Sequence, residues 1–243
     1  MTNADTENRA RRIIERLKMF NRKERDHLMK FALCEKPEEP RISNALWKKI
    51  SNGGTRPNAD KMFIGMDYHL NWLYAALALA KKSDEELEKR FDNEWECKAP
   101  PKGHKNSRPI QDNQEDVDLL IAWFDQRWAV PLRLILVEAK LDSGWLSEQI
   151  DSKLNRISSI RNDAIDQSLK FIDWRFLLMA PKAPSNRCKK IKSILKDERY
   201  LWALDRDGKD PKFSHVAWKL PNGRASVNRV SRNWSRWKVS SRN

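Results

Sequence analysis

Three side chains near the middle of the chain have the types and spacing that phosphodiester chemistry needs. The apolar, strand-like run Leu134-Ile135-Leu136-Val137 ends in Glu138-Ala139-Lys140. Residues two apart on a strand share a face, so Glu138 and Lys140 project side by side from the end of a buried strand. A second acid, Asp118, stands at the head of another apolar run, Leu119-Leu120-Ile121. If the two runs form an antiparallel hairpin with its loop centred on Trp128, facing positions have a constant sum and Asp118 falls opposite Glu138. Two facing carboxylates repel unless a cation lies between them. Oxygen ligands suit a hard divalent ion, Mg2+ or Mn2+. Such an ion polarises a phosphate and acidifies a water, while Lys140 orients that water or neutralises charge developing on the phosphate.

The triplet by itself is cheap in so charged a chain, since Glu96-x-Lys98, Asp151-x-Lys153, Asp207-x-Lys209 and Asp210-x-Lys212 also occur. Glu138-x-Lys140 differs in ending a β-like apolar run and in having an acid in hairpin register with it. Glu115 and Asp116 are two further acids beside Asp118. Asp118 is favoured by the register and by adjoining the apolar run directly.

With these residues in place the chain resembles the PD-(D/E)XK nuclease superfamily, although Val117 stands where the name pattern has proline. The resemblance covers roughly residues 110–180 and implies a restriction-endonuclease-like α/β fold, a mixed central sheet flanked by helices. It implies that Asp118 and Glu138 bind the metal with the Ala139 carbonyl, that Lys140 serves the attacking water, and that Gln149, in the next helix, is the accompanying polar residue of the site. The activity it implies is metal-dependent hydrolysis of nucleic acid, with DNA the favoured substrate, in restriction, defence or repair.

Charge distribution points the same way. The formal net charge is +14, and residues 182–243 hold 17 Lys and Arg against 5 Asp and Glu. A cationic surface gathers polyanions and releases their counterions, so nucleic acid is the expected partner. Lys189, Lys190 and Lys192 on an expected basic helix suit phosphate contact. So do Arg232, Arg236 and Lys238, set among Trp234 and Trp237, whose rings are suited to stacking on bases. A non-catalytic nucleic-acid-binding protein would use the same face without a metal. The three cysteines, Cys34, Cys97 and Cys188, and the four scattered histidines have neither disulfide nor zinc spacing. The N-terminus has no apolar signal core, and the apolar stretch from Trp72 to Ala80 is too short to span a bilayer. A cytoplasmic protein without a membrane partner is expected.

The elements that must position these groups divide near residue 100. Residues 1–100 are expected to be a helical region available for substrate selection, homodimerisation or contact with a partner protein. Residues 101–243 are expected to form the nuclease-like core with its basic end. In the first region, Ile13, Ile14, Leu17 and Phe20, then Leu28, Phe31 and Ala32, have helical spacing, with Asn21 a candidate cap between the two groups. A short helix is expected over Ser43–Ile50, a long one over Met62–Lys82, and a charged one over Ser83–Trp95, opened by the capping box Ser83-x-x-Glu86. Asp67, Tyr68 and His69 either complete the site or satisfy a buried polar network, and the second is favoured. In the second region, Val117–Phe124 and Leu132–Val137 are strands apolar on both faces, as central strands are. A helix follows with Leu146, Ile150, Leu154 and Ile157 on one stripe, then a strand over Trp174–Met179. Asn222-Gly223 is expected to turn a last hairpin of His215–Leu220 with Ala225–Val230.

Overall fold

The computed structural model describes residues 3–34, 42–51, 55–89, 110, 115–125, 130–140, 147–166, 168–180, 215–217, 223–227 and 237–241. Three helices come first: α1 (Asn3–Phe20), α2 (Glu24–Leu33) and α3 (Asn44–Ile50). Strand β1 (Met62–His69) runs directly into α4 (Leu70–Leu79), and α5 (Asp84–Lys89) follows. Strands β2 (Asp116–Phe124) and β3 (Leu132–Ala139), helix α6 (Ser147–Asp166) and strand β4 (Ile172–Ala180) come next. The short strands β5 (His215–Ala217), β6 (Gly223–Val227) and β7 (Trp237–Ser241) close the series.

The protein is a mixed α/β structure. Its sheet has the order β1-β2-β3-β4, with three-residue β5 beside β4 at the edge. The first three strands are antiparallel neighbours, whereas β4 runs parallel to β3 and β5 parallel to β4. The β2–β3 register, Leu119 opposite Val137 and Leu120 opposite Leu136, is the one expected from a loop centred on Trp128.

Both faces of the central strands are buried. Leu120, Ala122, Phe124, Leu132, Leu134 and Leu136 enter one apolar cluster with residues of α1, α4 and α6. Ile121, Trp123, Ile135 and Val137 enter another with Ile42, Trp47 and Ile50. Helices therefore cover the sheet on both sides. Helix α1 contributes Ala10, Ile13, Ile14 and Leu17, the i, i+3, i+4, i+7 stripe of an amphipathic helix. Burying each large aliphatic side chain contributes about 1.5–3 kcal/mol. Trp47 of α3 meets Trp123 edge to face, with ring centroids 5.1 Å apart.

Three expectations for the first hundred residues are corrected. The long helix expected over Met62–Lys82 is strand β1 followed by α4. Its strand half carries apolar side chains on both faces, Phe63 in one cluster and Met62 in the other, so no polar alternation exposes a period of two. The 1–100 region is accordingly not purely helical, and α1 and β1 share their core with β2 and β3. Asn21 does not cap α2: Lys23 occupies that position, while Asn21 donates to the carboxylate of Asp26. The capping box at Ser83 and Glu86 does form, with reciprocal hydrogen bonds of 2.9 and 3.2 Å. Further along, His215–Ala217 extends the main sheet and β6 pairs with β7 instead, so the expected His215–Leu220/Ala225–Val230 hairpin is also corrected. At the outer edge of β4, β5 pairs with its last three residues, Leu178 to Ala180. The basic helix expected over 186–195 lies outside the described residues.

Two local features shape β1. At Gly65 a Cβ would lie 2.7 Å from the Phe63 ring, which packs edge to face on Tyr68, so a larger residue would disturb that pair. Asp67 has φ 48°, in the left-handed region. The alternation of side chains breaks there: Met62 packs on one face and Tyr68, at an even spacing from it, on the other.

Helix α2 is attached by charge rather than by apolar area, since Leu28, Phe31 and Leu33 are exposed. Asp26, 1% exposed, accepts hydrogen bonds from Met66 N at 2.9 Å, Asn21 Nδ2 at 2.6 Å and Lys30 Nζ at 2.6 Å. Lys30 also donates to the Ile64 carbonyl. Removing one partner of a buried pair leaves the other unsatisfied. Asp26→Ala is therefore expected to cost about 3 kcal/mol in urea denaturation, with α2 becoming sensitive to proteolysis first.

Candidate active site

The end of β3 and the start of β2 bring the expected acids together. Glu138 is only 4% exposed although it directly follows its apolar run, one residue before the end of β3. Lys140 Nζ lies 3.3 Å from Glu138 Oε1. The Lys140 amide donates to the Met179 carbonyl at 2.9 Å, which continues the β3–β4 pairing one step past Ala139 and fixes where that lysine leaves the sheet. One residue beyond the Leu119–Val137 pair, Asp118 Oδ2 accepts the Ala139 N–H. Asp118, Glu138 and Lys140 thus share one end of the β2–β3 pair.

A fourth group joins them from α6. Lys153, 9% exposed, donates to Glu138 Oε2, so this carboxylate has an ammonium on each oxygen. Sequence reasoning passed over Lys153 as part of a chance Asp151-x-Lys153 triplet. Its signal lay in position rather than in the triplet: Lys153 falls within the arc spanned by Ile150, Leu154, Ile157 and Ile160, where a solvated lysine has no place. Gln149 lies one turn earlier on α6, at i−4 from Lys153, and is exposed.

The neighbouring acids are engaged elsewhere. Glu115 Oε2 lies 3.6 Å from Arg156 Nη1, and Arg156, 1% exposed, also donates to Asn71 Oδ1. Asp116 pairs with Lys23 Nζ at 2.9 Å and lies 3.2 Å from His69 Nδ1. Burial holds the His69 imidazole below its ordinary value, while Asp116 opposes that shift. The Tyr68 hydroxyl donates to the Leu17 carbonyl, and burial pushes its pKa up. Tyr68 and His69 therefore serve a buried polar network. Asp67 stands level with Asp118 in the β1–β2 register, but its carboxylate lies 3.7 Å from Arg25. Among the described residues no group of three or more His, Cys, Asp and Glu side chains is placed to hold a metal ion.

Of the basic residues expected to contact nucleic acid, Lys189, Lys190, Lys192, Arg232 and Arg236 lie outside the described residues. Lys238 lies in β7, opposite Ser226. No helix among the described residues is long and apolar enough to cross a membrane. Comparison with protein-family models, with curated proteins and with solved structures finds no match for this chain.

Burial raises the Asp118 carboxyl from its ordinary value; the Ala139 N–H opposes this, and the negative charge of Glu138 adds to it. A raised acid binds its proton more tightly in the folded than in the unfolded chain. Its stabilising contribution is complete below the ordinary value and is lost as pH rises through the folded value. Asp118→Asn, which keeps an acceptor for Ala139, is expected to melt at a higher temperature than the wild type at neutral pH in chelator. That advantage is expected to shrink as pH falls through the acid range, and thermal melts across a pH series check it.

Proposed function

We propose that the protein is a metal-dependent nuclease of the PD-(D/E)XK type, hydrolysing phosphodiester bonds in nucleic acid, with DNA the favoured substrate. The observation that carries this reading is the convergence of Asp118, Glu138 and Lys140 at one end of adjacent strands, with Glu138 nearly buried. The mixed sheet between helices supports it as the setting, and restriction-endonuclease-like is the finer fold assignment we attach to it.

The donors fit a hard divalent ion. Asp118 and Glu138 are close enough that the charge of one raises the carboxyl of the other, a repulsion that a cation relieves. These two carboxylates, with the Ala139 carbonyl, would hold Mg2+ or Mn2+. Bound there, the ion supplies Lewis acidity toward a phosphate oxygen and a more acidic water. Lys140, partly exposed and beside Glu138, would orient the attacking water and neutralise charge on the phosphate. Gln149, exposed on the first turn of α6, would be the accompanying polar residue. The basic residues of 182–243 would hold the nucleic-acid backbone through contacts that weaken with salt.

The test is cleavage of supercoiled, linear and single-stranded DNA, and of RNA, by purified protein with Mg2+, Mn2+ or chelator. Glu138→Gln and Lys140→Met are each expected to lower cleavage by about 10²–10⁴-fold while DNA binding in gel shift stays within a few-fold of wild type. Unchanged cleavage in both variants would place the chemistry elsewhere. Salt-sensitive DNA binding without any metal-dependent cleavage would instead support a binding protein.

A further inference from the structure

Glu138 has two oxygens, and each faces an ammonium. Lys140 stands at the looser distance of 3.3 Å and is partly exposed, whereas Lys153 makes the closer contact and is almost wholly buried. The four side chains Asp118, Glu138, Lys140 and Lys153 balance in charge when both acids are ionised. A divalent ion added to that balanced set would face two ammonium groups competing for one carboxylate. Lys153 is the competitor that comes from another element, on a flexible four-carbon stem able to turn away without moving the sheet. Lys140 is anchored through its amide to Met179.

We propose that Lys153 is the displaceable counter-ion of Glu138: it occupies Oε2 until a divalent cation takes its place, and so sets the ion concentration at which the site loads. This rests on the metal-site reading given above. Lys153 is a positioning residue, acting through Glu138 and holding that carboxylate at the strand end while no cation is bound. Its competition with the cation is a linkage, so removing the ammonium must tighten ion binding by the same factor that the ion weakens the ammonium contact.

The experiment is calorimetric titration of the full chain with Mn2+ in the absence of nucleic acid, comparing wild type with Lys153→Met and Lys153→Arg. Lys153→Met is expected to bind Mn2+ about five- to tenfold more tightly, and Lys153→Arg, which restores a cation, to return toward the wild-type affinity. Metal-free circular dichroism confirms that each variant is folded. Lys153→Gln, which offers Oε2 a neutral donor, carries the same expectation as Met if the Met variant does not fold. Mn2+ binding by wild type with equal or weaker affinity in the folded, uncharged variants overturns the role of Lys153 and leaves the metal site standing. Absence of Mn2+ binding in wild type and in every folded Lys153 variant overturns the metal site and the role of Lys153 together.

Discussion

The pairing of β2 with β3 is the constraint on which the rest of the structure depends. These two strands are buried on both faces, with leucines in the cluster under α1, α4 and α6 and with Trp123, Ile135 and Val137 in the cluster under α3. Because side chains alternate with period two, a slip of one residue would turn each set to the opposite face. Both cores therefore oppose any change of register. That register also brings the Ala139 amide to the carboxylate of Asp118, so the apolar side chains determine which charged groups meet. A site built on this pair inherits its precision from burial rather than from its own ion pairs.

Those ion pairs are costly to bury. Withdrawing a carboxylate and two ammonium groups from water costs several kcal/mol per ion before their attraction is counted. The acids nearby follow a different pattern: Glu115 and Asp116 are tied to Arg156, Lys23 and His69, contacts that join α6, the α1–α2 junction and β1 to the start of β2. Those contacts link elements. The Glu138 contacts concentrate charge at one strand end, beside a carboxyl already raised by burial and by Glu138 itself. The division separates acids that tie elements together from Asp118 and Glu138, the two that the proposed metal site uses.

How much of this could be read from the chain differs from element to element. The hairpin was legible because two apolar runs flank one short connection that opens on Asp125-Gln126-Arg127 and ends on Pro131, which leaves little freedom in the register. Glu138 and Lys140 followed from that register without further information. Strand β1 was not legible, because Met62–His69 is apolar on both faces and runs into α4 with neither Gly nor Pro at the junction. Asp67, whose positive φ breaks the alternation, hides the period further. Lys153 was missed for a related reason: its importance lies in a long-range partner, and spacing along α6 shows its burial but not the carboxylate it meets. The exposed apolar residues of α2 show the converse, helical periodicity without a core to receive it, because Asp26 attaches the helix by hydrogen bonds.

The parallel direction of β4 explains why a helix completes the site. An antiparallel successor to β3 could have followed through a tight turn at Lys140, leaving Glu138 at an open edge. A parallel one requires a crossover, and the connection here carries α6. Its stripe of Ile150, Leu154, Ile157 and Ile160 enters the same cluster as Leu134 and Leu136, so the helix lies over the strand that ends in Glu138. Helical geometry then carries Lys153, three residues from Ile150, toward the acid on that face, and Arg156, three residues further on, toward Glu115. The change of strand direction after Lys140 thus brings a second lysine to the carboxylate that the first one already meets, and the docking of α6 on the sheet controls how closely it does so.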